Sequence, residues 1–204
     1  GCIPVGLWGG QAELKRARTY LPPFACSIMQ SIMEYETDGT YDILSAVLIP
    51  AVCDTLKCFG QKWKGTCPAI PFVHPQNRRD DHSVAFLTSE YQMIRKKLEE
   101  ILQVEITDQK ISESIILYNE YRSVMREFTG LAADYPLTIT PTVRHKIIKA
   151  GYFMEKAEYI AIMKQINSGL RLRKPESSED RKVVVTGLTL EPDGLLEIFE
   201  QFHL

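Results

Sequence analysis

The chain has 204 residues, 45% of them hydrophobic and 25% charged, a balance expected of a soluble globular protein with one large or two small domains. Lys and Arg total 24 against 26 Asp and Glu, a net charge of −2 that gives no footprint for nucleic acid or an anionic membrane. No apolar run approaches the roughly 18 residues that span a bilayer, no basic stretch precedes an apolar one at the start, and disordered and collagen-like compositions are excluded, so a cytoplasmic protein is expected.

In chain order, Cys2–Leu7 reads as a strand, ended by Gly9-Gly10, and Gln11–Tyr20 as a helix stopped before Leu21-Pro22-Pro23. Ala25–Tyr35 is a second helix, with Ile28, Ile32 and Tyr35 on one face. Tyr41–Pro50 carries Ile43, Leu44, Val47, Leu48 and Ile49, the nearly continuous apolar run of a strand buried on both faces. A helix over Asp54–Lys64 and a strand over Ala69–Val73 follow, and this alternation predicts βαβ units and a parallel sheet.

The middle of the chain is helical. Asp81–Gln103 is one long helix striped by Tyr91, Ile94, Leu98 and Ile101. Thr107 or Asp108 caps the next, striped by Ile111, Ile115, Tyr118, Met125 and Phe128. Thr140-Pro141 starts a third that places Ile147, Ala150, Met154, Ala157 and Ala161 on one face. These stripes read as helix-packing core. The polar stretch Ser168–Asp180 reads as a linker, Lys182–Gly187 as a buried strand and Asp193–Phe202 as a helix. The expected organisation is an α/β part over 1–80, a helical part over 81–168, a linker over 169–181 and the first βα unit of a second α/β domain over 182–204.

Five cysteines, Cys2, Cys26, Cys53, Cys58 and Cys67, all lie in the first third of the chain. An odd number without a secretion signal argues against disulfides and leaves metal binding, catalysis or burial. Cys53 follows a buried run and opens a helix, so it belongs at the carboxyl end of a strand and the amino end of a helix, where open α/β sheets bind ligands. Cys26 sits in the first turn of its own helix, 27 residues earlier, a spacing suited to ligands from successive units rather than a local zinc knuckle. Burial as small hydrophobes is the competing reading for both. Cys58 lies about 140° around the helix from Cys53 and reads as packing. Cys67, in Gly65-Thr66-Cys67-Pro68, reads either way, and Cys2 reads as a strand residue. Gly9 and Gly10 permit close backbone approach to a ligand or form a plain turn. His74, after a predicted strand, is placed for substrate contact or in a surface loop.

Pro4-Val5-Gly6-Leu7-Trp8-Gly9-Gly10, Tyr20-Leu21-Pro22-Pro23-Phe24-Ala25-Cys26-Ser27-Ile28-Met29, Cys53-Asp54-Thr55-Leu56-Lys57 and Pro75-Gln76-Asn77-Arg78 occur in that order, followed by the helical stretch Phe86–Leu131. Taken together they resemble the 2-hydroxyacyl-CoA dehydratase and benzoyl-CoA reductase subunit family, particularly the 2-hydroxyglutaryl-CoA dehydratase type. The resemblance implies a Rossmann-like parallel sheet with helices. It also implies an oxygen-sensitive [4Fe–4S] cluster, with Cys26 and Cys53 matching the first two cluster cysteines and Gly9, Gly10 and Asn77 as weak candidates for lining the substrate pocket. The third cluster cysteine is expected beyond Leu204, and acidic and hydroxyl residues near the substrate before Gly1. A fragment cut at both ends, holding no stable cluster and no activity by itself, is therefore expected.

The implied reaction removes water from an (R)-2-hydroxyacyl-CoA by one-electron reduction of the thioester to a ketyl radical, loss of hydroxide and loss of the now acidic β-proton. The implied partners are a second dehydratase subunit, an ATP-dependent iron–sulfur activator protein and the acyl-CoA. Two other readings remain open: a benzoyl-CoA-reductase-like or double-cubane-type electron-transfer subunit, and a non-catalytic structural partner subunit.

Overall fold

A computed structural model of the chain describes residues 2–179, 181, 183–186 and 193–202. The protein is a mixed α/β structure, mostly helical, with a small parallel sheet of two strands among the described residues. It divides into two compact units, one formed by Leu7–Ile106 and the other by Gly1–Gly6 with Thr107–Leu204.

In the first unit the chain order is α1 (Ala17–Tyr20), α2 (Ser27–Thr37), β1 (Val47–Pro50), α3 (Asp54–Lys62), β2 (Ala69–Phe72) and α4 (Asp81–Leu102). β1 and β2 pair in parallel from Val47 opposite Ala69 to Pro50 opposite Phe72, with α3 as the crossover. The core lies among α2, α3 and the sheet: Ile32, Met33, Val47, Ile49 and Phe59 are each at most 3% exposed. α3 packs against the strands, with Gly60 over Ile49 and Pro71. α4 packs on β2, where Phe72 and Tyr91 meet with ring centroids 6.4 Å apart.

Two predicted elements of this unit shrink for identifiable reasons. The helix expected over Gln11–Tyr20 is only the single turn α1, because the buried Glu34 carboxylate accepts the N–H groups of Lys15, Arg16 and Ala17 at 2.8–3.2 Å and caps the turn at that point. The strand expected over Tyr41–Pro50 is only β1. Gly39, at φ +87°, starts a run of turns in which Asp42 N donates to Gly39 O and Leu44 N to Tyr41 O, and Ile43 is left 89% exposed. Cys2–Leu7 forms no strand; a strand needs a neighbour, and Gly6 N instead donates to Tyr152 O at 2.9 Å.

The second unit is helical: α5 (Asp108–Ala132), α6 (Pro141–Ala150), α7 (Lys156–Arg171) and α8 (Asp193–Gln201). Thr107 caps α5 through Lys110 N, and Thr140 caps α6 through Val143 N with Pro141 at the first helical position, both as predicted. α5 and α7 pack around Val124, Phe128, Tyr159, Ile160, Met163 and Leu170. The single helix expected from Thr140 through Ala161 is broken at Gly151–Glu155. Glu155 caps a new helix through Glu158 N, while the Lys156 ammonium donates to Gly151 O beside the Tyr118 and Tyr121 rings. The restart shifts the phase, so Ala157 and Ala161 are exposed and Tyr159, Ile160 and Met163 face the core.

α7 runs through Ser168–Arg171 into the expected linker, and Glu176 ties the segment back by accepting Leu137 N and Thr138 N at 2.8 and 3.0 Å. Of the strand expected over Lys182–Gly187, Lys182 and Gly187 lie outside the described residues. Val183–Thr186 are exposed and unpaired into any sheet, because no described strand runs beside them.

Two outcomes follow. Glu34→Ala strands three backbone donors and should cost on the order of 3 kcal/mol in urea unfolding; an unchanged midpoint would contradict the capping role. Backbone hydrogen bonds from Glu158 and Ala157 hold Glu155 below the ordinary value of 4.5, and hydrogen bonding, chiefly from the Thr138 hydroxyl, does the same for Glu176. Their contribution is therefore present above pH about 4.5 and lost as pH falls through the lowered folded values. Glu176→Gln should flatten the acid limb of the unfolding profile followed by tyrosine near-ultraviolet circular dichroism, and an unchanged limb would remove Glu176 from that account.

Candidate functional site

Because β1 and β2 are parallel and in register, the chain leaves both strands at one edge of the sheet. Beyond β1 it passes through Ala51 and Val52 to Cys53, whose extended backbone (φ −148°, ψ 166°) forms the N-cap of α3. There the sulfur takes the place usually filled by a serine or aspartate oxygen. Leu56 N donates to Cys53 Sγ at 3.4 Å, and Lys57 N to the Cys53 carbonyl at 3.0 Å. Cys53 is exposed and in no disulfide.

Cys26 occupies the same kind of position on α2. It is the N-cap, with φ −60° and ψ 146°, and its carbonyl accepts Met29 N and Gln30 N at 3.0 and 3.1 Å. Unlike Cys53, its side chain makes no capping hydrogen bond. It too is exposed and free. The turn before it is set by Ala25 N donating to Pro22 O at 2.9 Å, and by the Gln30 amide holding Ala25 O at 2.6 Å. The two thiols thus stand at the amino ends of two helices that pack against each other.

The other cysteines separate from these two. Cys67 is buried, its carbonyl holds Trp63 Nε1 at 3.0 Å, and burial pushes its thiol up, which keeps it protonated and a poor metal ligand. Cys58 is half-buried against the first unit's core, away from the α3 amino end. Cys2 is exposed in the non-strand segment before Gly6. Among the described residues no group of three or more His, Cys, Asp and Glu side chains is placed to hold a metal ion. Cys26 and Cys53 have the donor chemistry of cluster ligands, but these residues complete no ligand set around them.

The remaining candidates have local partners. The close approach that Gly9 and Gly10 permit is to α2: a Cβ on Gly9 would overlap Ser31 Oγ, one on Gly10 would come within 2.5 Å of Tyr35 OH, and Gly10 N donates to Ser31 Oγ at 3.3 Å. Asn77 is exposed, and its side chain is spent on the entry to α4, with its amide donating to Asp80 and its oxygen accepting Arg79 N at 3.0 Å. Its neighbours instead line a small cleft at the carboxyl edge of the sheet, walled by Ala51, Val52, His74, Pro75, Gln76 and Arg78. Position after β2 signalled His74 in the sequence, whereas nothing in its local pattern singled out Arg78.

The chain matches the family model for 2-hydroxyglutaryl-CoA dehydratase, D-component, over residues 1–203. It is 47% identical to the lactoyl-CoA dehydratase subunit beta of Anaerotignum propionicum, 40% identical to the (R)-phenyllactyl-CoA dehydratase beta subunit of Clostridium sporogenes and 34% identical to the (R)-2-hydroxyglutaryl-CoA dehydratase subunit beta of Acidaminococcus fermentans. Each similarity covers 100% of this chain and 55% of the relative, so the chain spans about half the length of the curated relatives it matches. No helix among the described residues is long and apolar enough to cross a membrane.

Alkylation of the native chain followed by peptide mass spectrometry should modify Cys26 and Cys53 quickly and Cys67 only after denaturation; fast reaction at Cys67 would contradict its burial. Gly9→Ala should lower the unfolding midpoint, because Ser31 and the Ile28 carbonyl leave no room for a methyl group. An unperturbed midpoint would free Gly9 from α2 and return it to the pocket candidates.

Proposed function

The chain belongs to the 2-hydroxyglutaryl-CoA dehydratase, D-component family, and from that membership we propose that it is part of a subunit of an (R)-2-hydroxyacyl-CoA dehydratase, a lyase that removes water to give an enoyl-CoA. The observation that carries this beyond the family match is the placement of two free, exposed thiols as N-caps of the packed helices α2 and α3, one of them at the carboxyl edge of the parallel sheet.

In this reading Cys26 and Cys53 are two ligands of an iron–sulfur cluster of the [4Fe–4S] type, and a further ligand comes from the part of the protein outside these 204 residues. Thiolates are the soft donors such a cluster takes. When bound, the cluster would supply one-electron reduction of the thioester, the chemistry that removal of a non-acidic β-proton demands. This chain's own contribution is positional. The α3 amino end aims Leu56 N–H at Cys53 Sγ, hydrogen bonding of the kind that tunes cluster potential. Ala25, Gln30 and Pro22 fix the turn that presents Cys26. A second dehydratase subunit, an ATP-dependent activator and a cytoplasmic, anaerobic setting belong to the same reading.

Anaerobic reconstitution of the longer protein with its partner subunit, followed by iron and sulfide analysis, tests the assignment. Cys26→Ser and Cys53→Ser should each lower bound iron and sulfide severalfold and abolish dehydration, while Cys58→Ser should leave both unchanged. Unaltered iron content in both variants would reject Cys26 and Cys53 as ligands, and a protein that binds no iron at all would favour a structural subunit.

A further inference from the structure

The cleft at the carboxyl edge of the sheet remains without a role. One wall is the Ala51-Val52 turn that leads from β1 into Cys53; the other is His74, Pro75, Gln76 and Arg78, just beyond β2. Its volume is about 160 Å³, enough for a small polar group but not for a whole nucleotide. This is the edge at which parallel α/β sheets bind ligands.

Arg78 and Gln76 bring N–H donors to this cleft. Arg78 is exposed, and among the described residues its guanidinium has neither an ion-pair nor a hydrogen-bond partner. The Gln76 side-chain amide is likewise unengaged among them, and His74 touches only the neighbouring Pro75 carbonyl, through Nδ1 at 3.2 Å. The carboxylates of Asp80 and Glu90 bond to backbone and amide donors and make no direct contact with the Arg78 guanidinium. Asp80 accepts Ser83 N at 2.7 Å and also the Asn77 amide, and Glu90 accepts Val73 N at 2.6 Å. Arg79 adds a second guanidinium without an ion pair among the described residues. A concave site with a guanidinium that makes no direct ion pair, and an amide beside it, suits a tetrahedral oxyanion, which guanidinium binds with two parallel hydrogen bonds.

We propose that this cleft binds a phosphate group, through the Arg78 guanidinium with the Gln76 amide as supporting donor. Resting on the acyl-CoA reading, the source would be a phosphate of coenzyme A, the anionic part shared by all such thioesters whatever their acyl group; free phosphate offers the same chemistry.

Titration of the ¹⁵N-labelled 204-residue chain with coenzyme A, and separately with inorganic phosphate, tests this by amide chemical shifts. Shifts confined to residues 51–53 and 74–78 that saturate in the millimolar range, and that fall at least tenfold in affinity in Arg78→Met but not in Lys97→Met on the exposed side of α4, are the expected result. Shifts with coenzyme A and with phosphate support both the cleft and the coenzyme source. Shifts with phosphate alone support the cleft and reject the coenzyme source. No shift in these segments with either probe, or undiminished binding in Arg78→Met, overturns the proposal, and neither outcome alters the iron content that tests Cys26 and Cys53.

Discussion

The parallel pairing of β1 with β2 is the constraint on which the rest of the site depends. Two parallel strands cannot be joined by a tight turn, so α3 must cross over between them, and its amino end must begin where β1 ends. That alone places Cys53 as a helix cap at the carboxyl edge and brings His74–Arg78 to the same edge. The pairing survives because Val47, Ile49 and Ile70 are buried, with α3 packed on both strands and α4 on β2. An antiparallel pair would send the two segments to opposite ends and separate Cys53 from the cleft.

α2 completes the arrangement by a different device. Glu34, Ser31 and Tyr35 on this one helix engage the segment before it: Glu34 takes the three amides that begin α1, and Ser31 and Tyr35 receive the Gly9-Gly10 backbone. Glycines adjoining a functional motif are easily taken for ligand contacts, yet both lie against a helix side chain. Cys26 is thus the N-cap of a helix fastened along one face, while its own side chain is left exposed and unengaged in capping. A side chain kept out of the capping role at such a position is available to an external partner, and the same holds for Arg78 in the cleft.

What the sequence disclosed follows the range of the forces involved. Local signals were legible: the Thr140-Pro141 start of α6, the Thr107 cap of α5 and the Asp54 start of α3 each need only a few neighbouring residues, whereas the two long stripes held in part, with Ile94 of α4 and Phe128 of α5 buried but Tyr91, Ile111 and Ile115 exposed. The failures were non-local. Glu34 stops α1 from 17 residues away, the Gly39 turns release Ile43 to solvent, and the Lys156 contact with Gly151 and two tyrosines divides one predicted helix into two. Of the candidate site, Cys53 could be placed because a strand–helix junction shows in pattern, and Cys26 because Pro22-Pro23 marks the approach to its helix. Asn77 could not be told from Arg78, since which of the two is consumed by Asp80 depends on side-chain geometry within the loop.

Whether Cys26 and Cys53 share one iron–sulfur cluster in the longer protein decides the functional reading. Thiol footprinting of that protein, reconstituted anaerobically and compared before and after iron chelation, addresses it at the atoms concerned. The account predicts that Cys26 and Cys53 resist alkylation while iron is bound and become reactive together when it is removed, with Cys2 reactive throughout. Equal reactivity of Cys26 and Cys53 in the two states, with iron demonstrably bound in one, would contradict it.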